Sequence, residues 1–447
     1  MKKILILLLF PLFSLSQALE PNNTYIISSG SNEGYDRPRV VITANNSPFI
    51  IWSKATNPKS IKAKRWNGSD FGSVLDIVSA DLMQTGFIGP EIAAKGDTVY
   101  LIFESLIHNN HVIYLKRSFD GGLTFSDTIR VSDNSHSNKF AMPNIAVRED
   151  GNPIISYMES TTSWTDWKQM VKSSADFGQT FSNAFDVSAL APGEPCDCCQ
   201  STMVTQGNDD VFLLFRNDES NIRNTYIAKS TDGGVTFTTT QDLDDVNWIL
   251  NACPTSSPVG AVYNDSVMVI RRNGGTGVNE LYKSNVQTSD LQKSYYTQVN
   301  EIGFAYQDKA EIAVSSDGFF VTVWEDNRNG VKECFYNIQL SNGKSEFNGV
   351  ISDTSVFGHK TEPDIAEGGP YSSGNFSIVY TASTQQEVHF VFSALMLINS
   401  IDEAGSLNKK LIKSVDLLGR EVVPKSNKPF INIYDDGSVK RQLIINN

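Results

Sequence analysis

The chain is a succession of short apolar runs separated by Gly, Asn, Asp and Ser. Seven of these runs share one character: residues 49–52, 99–103, 154–157, 211–215, 267–270, 320–324 and 376–380. Apolar stretches of this length, bounded by turn residues and rich in Val, Ile and Phe, predict buried strands. A shorter strand precedes each run and opens with Pro, a polar residue and Ile or Val. Clear copies are Pro38-Arg39-Val40, Pro90-Glu91-Ile92, Pro143-Asn144-Ile145 and Pro363-Asp364-Ile365, with degenerate copies near Cys199, Pro254 and Lys309. The unit recurs about every 52 to 56 residues, a length that suits a four-stranded blade. Long helical periodicity is absent. The pattern therefore predicts an all-β chain folded as a β-propeller of seven blades, or of six if the weak fifth unit is an insertion.

The last unit lacks an outer strand of its own. Residues 24–28 (Thr-Tyr-Ile-Ile-Ser) resemble the outer strands at 76–79, 129–132 and 350–352. The N-terminal segment is thus expected to complete the last blade and close the ring, which removes exposed sheet edges.

The two ends of the chain speak for its destination. Lys2 and Lys3 precede a short apolar run, residues 4–13, and Ser16-Gln17-Ala18 offers small residues at a cleavage position. Residues 1–18 read as a cleaved signal peptide, and no later segment has the apolar length of a spanning helix. Residues 399–447 read as a small C-terminal β module. Val415-Asp416-Leu417-Leu418-Gly419-Arg420-Glu421, then Tyr434-Asp435-Asp436-Gly437-Ser438-Val439, resemble the type A sorting domain of the type IX secretion system of Bacteroidetes. The resemblance implies contact with that secretion machinery, then release or attachment at the cell surface. The propeller itself is assigned to residues 19–398. A formal charge of −13, from 50 acidic and 37 basic residues, disfavours a nucleic-acid partner, because phosphate affinity comes from clustered Lys and Arg.

One turn motif occurs three times: residues 118–125 (SFDGGLTF), 174–181 (SADFGQTF) and 230–237 (STDGGVTF). Ser and Asp oxygens suit the backbone N–H groups of a tight turn, and Gly supplies positive φ. Asp120, Asp176 and Asp232 are accordingly structural. The motif resembles the Asp-box of the sialidase (BNR-repeat) superfamily, with Phe where Trp is common, and the resemblance spans residues 24–395.

That resemblance implies an orientation: Asp-box turns on one face, and the starts of the innermost strands on the other, around the axis. It also implies an exo-α-sialidase-type glycoside hydrolase, with three arginines gripping a carboxylate, an Asp acid/base and a Tyr nucleophile paired with a Glu. Tyr35-Asp36-Arg37-Pro38-Arg39 stands where the family has Phe-Arg-Ile-Pro. Arg37 or Arg39 could be the first arginine, with Arg216, Arg271 or Arg272, and Arg328 as the others. Tyr306 and Tyr380 are the nucleophile candidates, Glu104, Glu159 or Glu325 the partner, and Asp36 the acid. A bidentate Arg clamp fixes a carboxylate, and a glycan or glycoconjugate is the implied partner; no cofactor is expected. Two other readings stay open: a non-catalytic propeller that binds glycan or protein, and a polysaccharide lyase using His108 or His111.

Cys196, Cys198 and Cys199 fall within four positions, and Cys253 begins the next unit. A staple joining Cys198 or Cys199 to Cys253 would tie two blades together, while a soft-metal site with Met142 or Met203 nearby, or a redox device, remains open. Zinc would want four convergent ligands, and no His lies in this stretch.

Overall fold

The structure, a computed structural model, describes residues 16–30, 34–54, 59–79, 82–85, 88–107, 110–134, 137–299, 305–340, 344–369, 375–398, 411–415, 420–423, 429–434 and 439–443. The expected signal residues 1–15 and the motif residues 416–419 and 435–438 lie outside them. Seven antiparallel sheets follow one another along the chain as the blades of a propeller. The first blade is Asp36–Thr43, Ser47–Lys54, Ser60–Arg65 and Leu75–Val78. The inner strands of the next five are Glu91–Lys95, Asn138–Val147, Thr202–Gln206, Val259–Tyr263 and Gln307–Val314. The fifth unit is a complete four-stranded blade, so the count is seven and the six-blade alternative is corrected. In the seventh blade, strand Ser16–Ser29 pairs with Glu387–Ile398 as the outer strand, closing the ring with an N-terminal segment as the sequence suggested.

The second strands carry consecutive apolar residues at their centres because both their faces are covered there. In Ser47–Lys54, Ile50 and Trp52 pack with Val379 and Phe390 of the seventh blade. Phe49 and Ile51 point the other way and pack with Val99, Leu101 and Phe103 of the second. Side chains alternate across a strand, so each blade shares one core with each neighbour and the hydrophobic interior is itself a ring. Ile27 of the closing strand joins the core between the seventh and first blades.

The inner strands carry a repeated irregularity. Their pairing slips between Asp36 and Arg39, Ala141 and Asn144, Asp308 and Glu311, and Thr361 and Asp364. Arg37, Met142, Lys309 and Glu362, inside these bulges, have φ of 48°, 55°, 52° and 53°. Non-Gly residues seldom occupy this region, and bulges re-aim the side chains that follow them.

The three Asp-boxes lie at the opposite end, after the third strand of their blades. In the first, the Ser118 hydroxyl donates to Asp120 Oδ1 (2.6 Å) and accepts from Gly122 N (2.9 Å), while Thr124 N donates to Asp120 Oδ1 (2.9 Å). Ser174, Asp176, Gly178 and Thr180 repeat the arrangement, as do Ser230, Asp232, Gly234 and Thr236. Gly122, at φ 88°, lies against the Phe49 ring, where a Cβ would collide with it.

Leu411–Val415, Pro429–Tyr434 and Val439–Leu443 form a separate three-stranded antiparallel sheet. It belongs to a unit distinct from the propeller, which spans Ala18–Met396. Among the described residues, no helix is long and apolar enough to cross a membrane.

Candidate functional site: an axial ring of polar residues

Each blade contributes one side chain to a single cavity on the axis, and in four of the blades the bulge aims it. Arg39, Glu91, Asn144, Thr202, Ser257, Glu311 and Asp364 line it in blade order, and its volume is about 220 Å³. Glu91 and Thr202 open an inner strand and Ser257 lies just before one; in the four slipped strands the lining residue lies within the strand, where pairing resumes after the bulge. Behind this ring stand Arg37, Gln200, Lys309 and Glu362, which also reach the cavity.

Contacts between blades hold the ring. Arg39 grips Glu91 with two parallel bonds, Nε to Oε2 at 2.7 Å and Nη2 to Oε1 at 3.0 Å. Arg37 Nη2 donates to the same Glu91 Oε1 (3.2 Å) and to Gln200 Oε1 (3.3 Å). Across the ring closure, Arg37 N donates to Glu362 Oε2 (3.0 Å) and Val40 N to Asp364 Oδ2 (2.7 Å). Gly89 makes room for the Arg37 side chain, since a Cβ there would overlap its Nε and Cδ.

Crowding of acids in a desolvated cavity sets their titration. Burial, opposed by Arg39 and reinforced by Asp364 and Glu91, pushes the Glu311 carboxyl up to about 8. Asp364 is raised to about 6, by burial above all and against the pull of Arg39. Asp36 is raised to about 7 by burial and by the neighbouring Glu362 carboxylate. Glu362 moves the other way: burial opposes its charge, but Arg37 and the bond from Asp36 outweigh it. Burial also lowers Lys309, with Arg37 adding to the effect. At neutral pH the cavity thus holds protonated and ionised carboxyls together with guanidinium, amide and hydroxyl groups. It can donate to and accept from a hydroxyl-rich ligand, and it contains groups able to exchange a proton.

The expected three-arginine clamp is not assembled. Arg37 and Arg39 reach the cavity, whereas Arg216, Arg271 and Arg328 do not line it. Arg216 is fully buried, donates to the carbonyl oxygens of Arg223, Arg272 (2.8 Å) and Ser256 (3.3 Å), and lies 5.0 Å from the Trp248 ring. Arg271 is equally buried and paired to Asp244 (2.9 Å). Arg272 is bound by Asp308 and the Tyr306 hydroxyl (2.8 Å). Arg328 pairs with Asp326 (3.0 Å) and lies over the Phe335 ring at 4.3 Å.

The expected nucleophiles are likewise engaged. Tyr380 has no solvent exposure, its hydroxyl accepts from Asp353 N (3.1 Å), and its ring stacks on His389. Tyr306 is 36% exposed, and its hydroxyl lies between Arg272 and Asp308 rather than beside a Glu. Glu159 accepts from Asn138 Nδ2 (2.5 Å), Glu325 from Lys332 Nζ (2.7 Å), and Glu104 contacts His111. His111 is therefore tied to an acid, and His108 lies outside the described residues. Asp36 accepts from Gln84 Nε2 (2.6 Å) at the edge of this cluster. Satisfied charges of this kind hold a fold together; they are not free to seize a sialate carboxylate without abandoning buried partners.

A second feature of the same face escaped the sequence reading. After strand Pro153–Thr161 the chain turns through Trp164, which is 38% exposed and stacks on Trp167 at 5.5 Å. His111 meets Trp164 edge-on at 4.6 Å, and Lys139 Nζ sits 4.1 Å from its ring centre. Asn138, which opens the inner strand, pairs with Thr161, which fixes this turn at the same end of the blade as the axial cavity. The available signal was the pair of tryptophans three apart within residues 162–168 (TSWTDWK), an otherwise polar turn.

The cysteines also come together. Cys196, Cys198 and Cys199 are buried, Cys253 is exposed, and all are free thiols. The staple to Cys253 is thus not formed, although Cys253 stands beside Asp197 and Cys198. Cys334 is a buried thiol apart from them.

Fold and site together define a seven-bladed propeller with Asp-boxes at one end and a polar axial cavity at the other. A sequence profile described as a BNR repeat-like domain matches residues 90–274, a stretch that contains all three Asp-boxes. No curated protein matches the chain. Among solved structures, the BP39L lectin from Burkholderia pseudomallei is similar in fold, with a TM-score of 0.58, 10% identity, and coverage of 82% of this chain and 96% of that one. A protein of unknown function from Dyadobacter fermentans gives a TM-score of 0.51 at 11% identity, covering 85% and 99%. The NanB sialidase from Streptococcus pneumoniae gives 0.45 at 12% identity, covering 85% and 71%.

Proposed function

We propose that this chain is an exported glycan-binding propeller, sorted to the cell surface or released, whose axial cavity takes a terminal sugar residue without cleaving a sialoside. The observation that carries this reading is the internal engagement of four arginines: Arg271, Arg272 and Arg328 are paired with carboxylates and Arg216 is held by backbone carbonyls. A sialate-cleaving site needs cations held in reserve for the substrate carboxylate. Among the described residues, the two arginines at the cavity share Glu91, and a ring of donors and acceptors in balanced charge suits hydroxyl groups better than an anion. At about 220 Å³ the cavity is smaller than the ~300–1,000 Å³ typical of drug-sized ligands, so it fits one ring and not an oligomer. The Trp164–Trp167 pair on the same face offers an apolar surface for a following sugar.

A second reading, hydrolysis by a carboxyl pair, has one observation of its own: Glu311 holds its proton to about pH 8 in the cavity where Glu362 stays ionised. One experiment separates the readings. Mature protein is applied to a glycan array and, in parallel, to fluorogenic sialosides and arabinosides, beside a Thr202→Trp variant that fills the cavity without removing an ion pair. Binding that disappears in the variant, with no turnover in either protein, is the expected result. Turnover that the variant abolishes would sink the binding reading in favour of hydrolysis. A folded protein that neither binds nor cleaves would sink both.

A further inference from the structure

We propose that Cys196, Cys198 and Cys199, completed by Cys253 or Asp197, form a thiolate site for a closed-shell thiophilic cation, copper(I) or zinc(II). The geometry is that of several sulfurs around one point. Cys196 Sγ lies 3.4 Å from Cys199 Sγ and 3.5 Å from Cys198 Sγ. Tetrahedral zinc with Zn–S bonds of ~2.3 Å separates its sulfurs by about 3.8 Å. Cys196 therefore faces two partners about equally, where a disulfide would select one. The chain reaches this arrangement through a single turn, with Cys199 N donating to Cys196 O (3.1 Å) and Cys196 N to Arg216 O (2.8 Å). A second set of ligand atoms, from Asp197, Cys198 and Cys253, also lies within 4.8 Å of one another. Cys198 belongs to both sets, so Cys253 of the neighbouring blade and Asp197 stand beside one of the three buried thiols, from where a small shift would bring a fourth ligand to a cation they hold.

The surroundings fit the same chemistry. Arg223 Nη1 approaches Cys196 Sγ at 3.5 Å and is itself held by Asp218 at 2.7 Å. A fixed cation at that distance stabilises a thiolate and orients it, the service that outer-sphere partners give metal ligands. Ile88, Ala141, Met142 and Met158 pack against the three thiols and keep water away. Outside, a cavity of about 260 Å³ lined by Glu194, Asp197, Asp218 and Cys253 offers an acidic approach for a cation. Sulfur ligands without a single imidazole favour copper(I) and zinc over harder ions.

The test uses reduced mature protein under anaerobic conditions, titrated in separate arms with copper(I) and with zinc(II). Metal content is measured after gel filtration, and thiolate-to-copper absorption is followed in the ultraviolet. Retention of about one equivalent in at least one arm is expected, with the arm identifying the metal. Cys198→Ser should abolish it, Cys334→Ser should not, and Arg223→Ala should weaken it about 10–100-fold. The arginine variant leaves every ligand in place and guards against a Cys198→Ser protein that fails to fold. Retention of neither metal, or equal retention by folded Cys198→Ser protein, overturns the proposal. So does peptide mapping of exported protein that finds a Cys198–Cys253 or Cys196–Cys199 disulfide and no metal.

Discussion

At the Asp-box end of the propeller, each aspartate is held by residues two and four positions away: Asp120 by Ser118 and Thr124, Asp232 by Ser230 and Thr236. At the axial end, Arg39 reaches 52 residues along the chain to Glu91, and Val40 reaches 324 residues to Asp364. Both ends manage carboxylates. One does so within a single turn, where backbone N–H groups favour the charged form; the other does so between blades, where the partners exist only once the ring has closed. The local device is a property of a short sequence and can be repeated cheaply. The distant one couples blades to each other and leaves several acids with more burial than compensation. That second condition is the one binding and proton-transfer sites exploit.

The difference predicts unequal costs of mutation. Glu91→Ala leaves the Arg37 and Arg39 guanidinium groups without their shared carboxylate, and loss of one member of a buried pair costs about 3–5 kcal/mol. Urea denaturation should show a loss of this size, and Glu91→Gln, which keeps one acceptor, a smaller one. Gly89→Ala comes next. Its methyl group must displace the Arg37 side chain, and overpacking of this kind costs about 1–3 kcal/mol. It should also lower glycan affinity, because Arg37 lines the cavity. A Gly89→Ala protein with unchanged melting temperature and affinity would show that Arg37 is not confined as described.

At the other end, Asp232→Ala removes acceptors for Thr236 N and the Thr236 hydroxyl from a turn that is mostly solvent-exposed. The loss should be about 1–2 kcal/mol, because the several hydrogen bonds lost are exposed to water and each nets little. It should add simply to the cost of Glu91→Ala, since the two sites share no partner. A cost as large as that of Glu91→Ala would dissolve the contrast between the two ends.

The same contrast explains what could be read from the sequence. The Asp-boxes were legible because their partners sit at fixed short offsets. The blades were legible because a strand covered on both faces must be apolar at consecutive positions, as residues 49–52 and 320–324 are. The closing strand was legible because residues 24–28 repeat the pattern of the outer strands. The axial ring was half legible. Arg39, Glu91, Asn144 and Asp364 stood in the repeated strand openings that the resemblance places around the axis, but the left-handed bulges of four of these strands have no common residue: Arg, Met, Lys and Glu occupy them. Arg216, Arg271 and Arg328 do not line the cavity for a related reason. An arginine at the end of a second strand can face the axis or turn into the blade, and the choice depends on Asp244, Trp248 and Asp326, at loop and strand-end positions that the repeat does not specify.

Titration offers the finest separation of the two ends. Asp120 and Asp176 are held down at about 2, so their contribution to stability is present above the unfolded-state value of about 3.9 and is lost as pH falls toward 2. Asp364, Asp36 and Glu311 are raised to about 6, 7 and 8. Their contribution is complete below about pH 4 and is lost as pH rises through 6 to 8, because the folded protein binds protons that the unfolded chain has released. Melting temperature should therefore decline on both sides of a maximum near pH 5, through different residues on each side. Glu311→Gln, a neutral group of the same shape, should flatten the alkaline decline and leave the acid limb unchanged. Asp120→Asn should do the reverse. Each effect is smaller than those of the substitutions above, since Asp120 is only partly buried and Arg39 opposes the upward shift of Glu311. An alkaline limb unmoved by Glu311→Gln would mean that the axial acids are solvated after all, and that the two ends of the propeller hold their carboxylates in the same way.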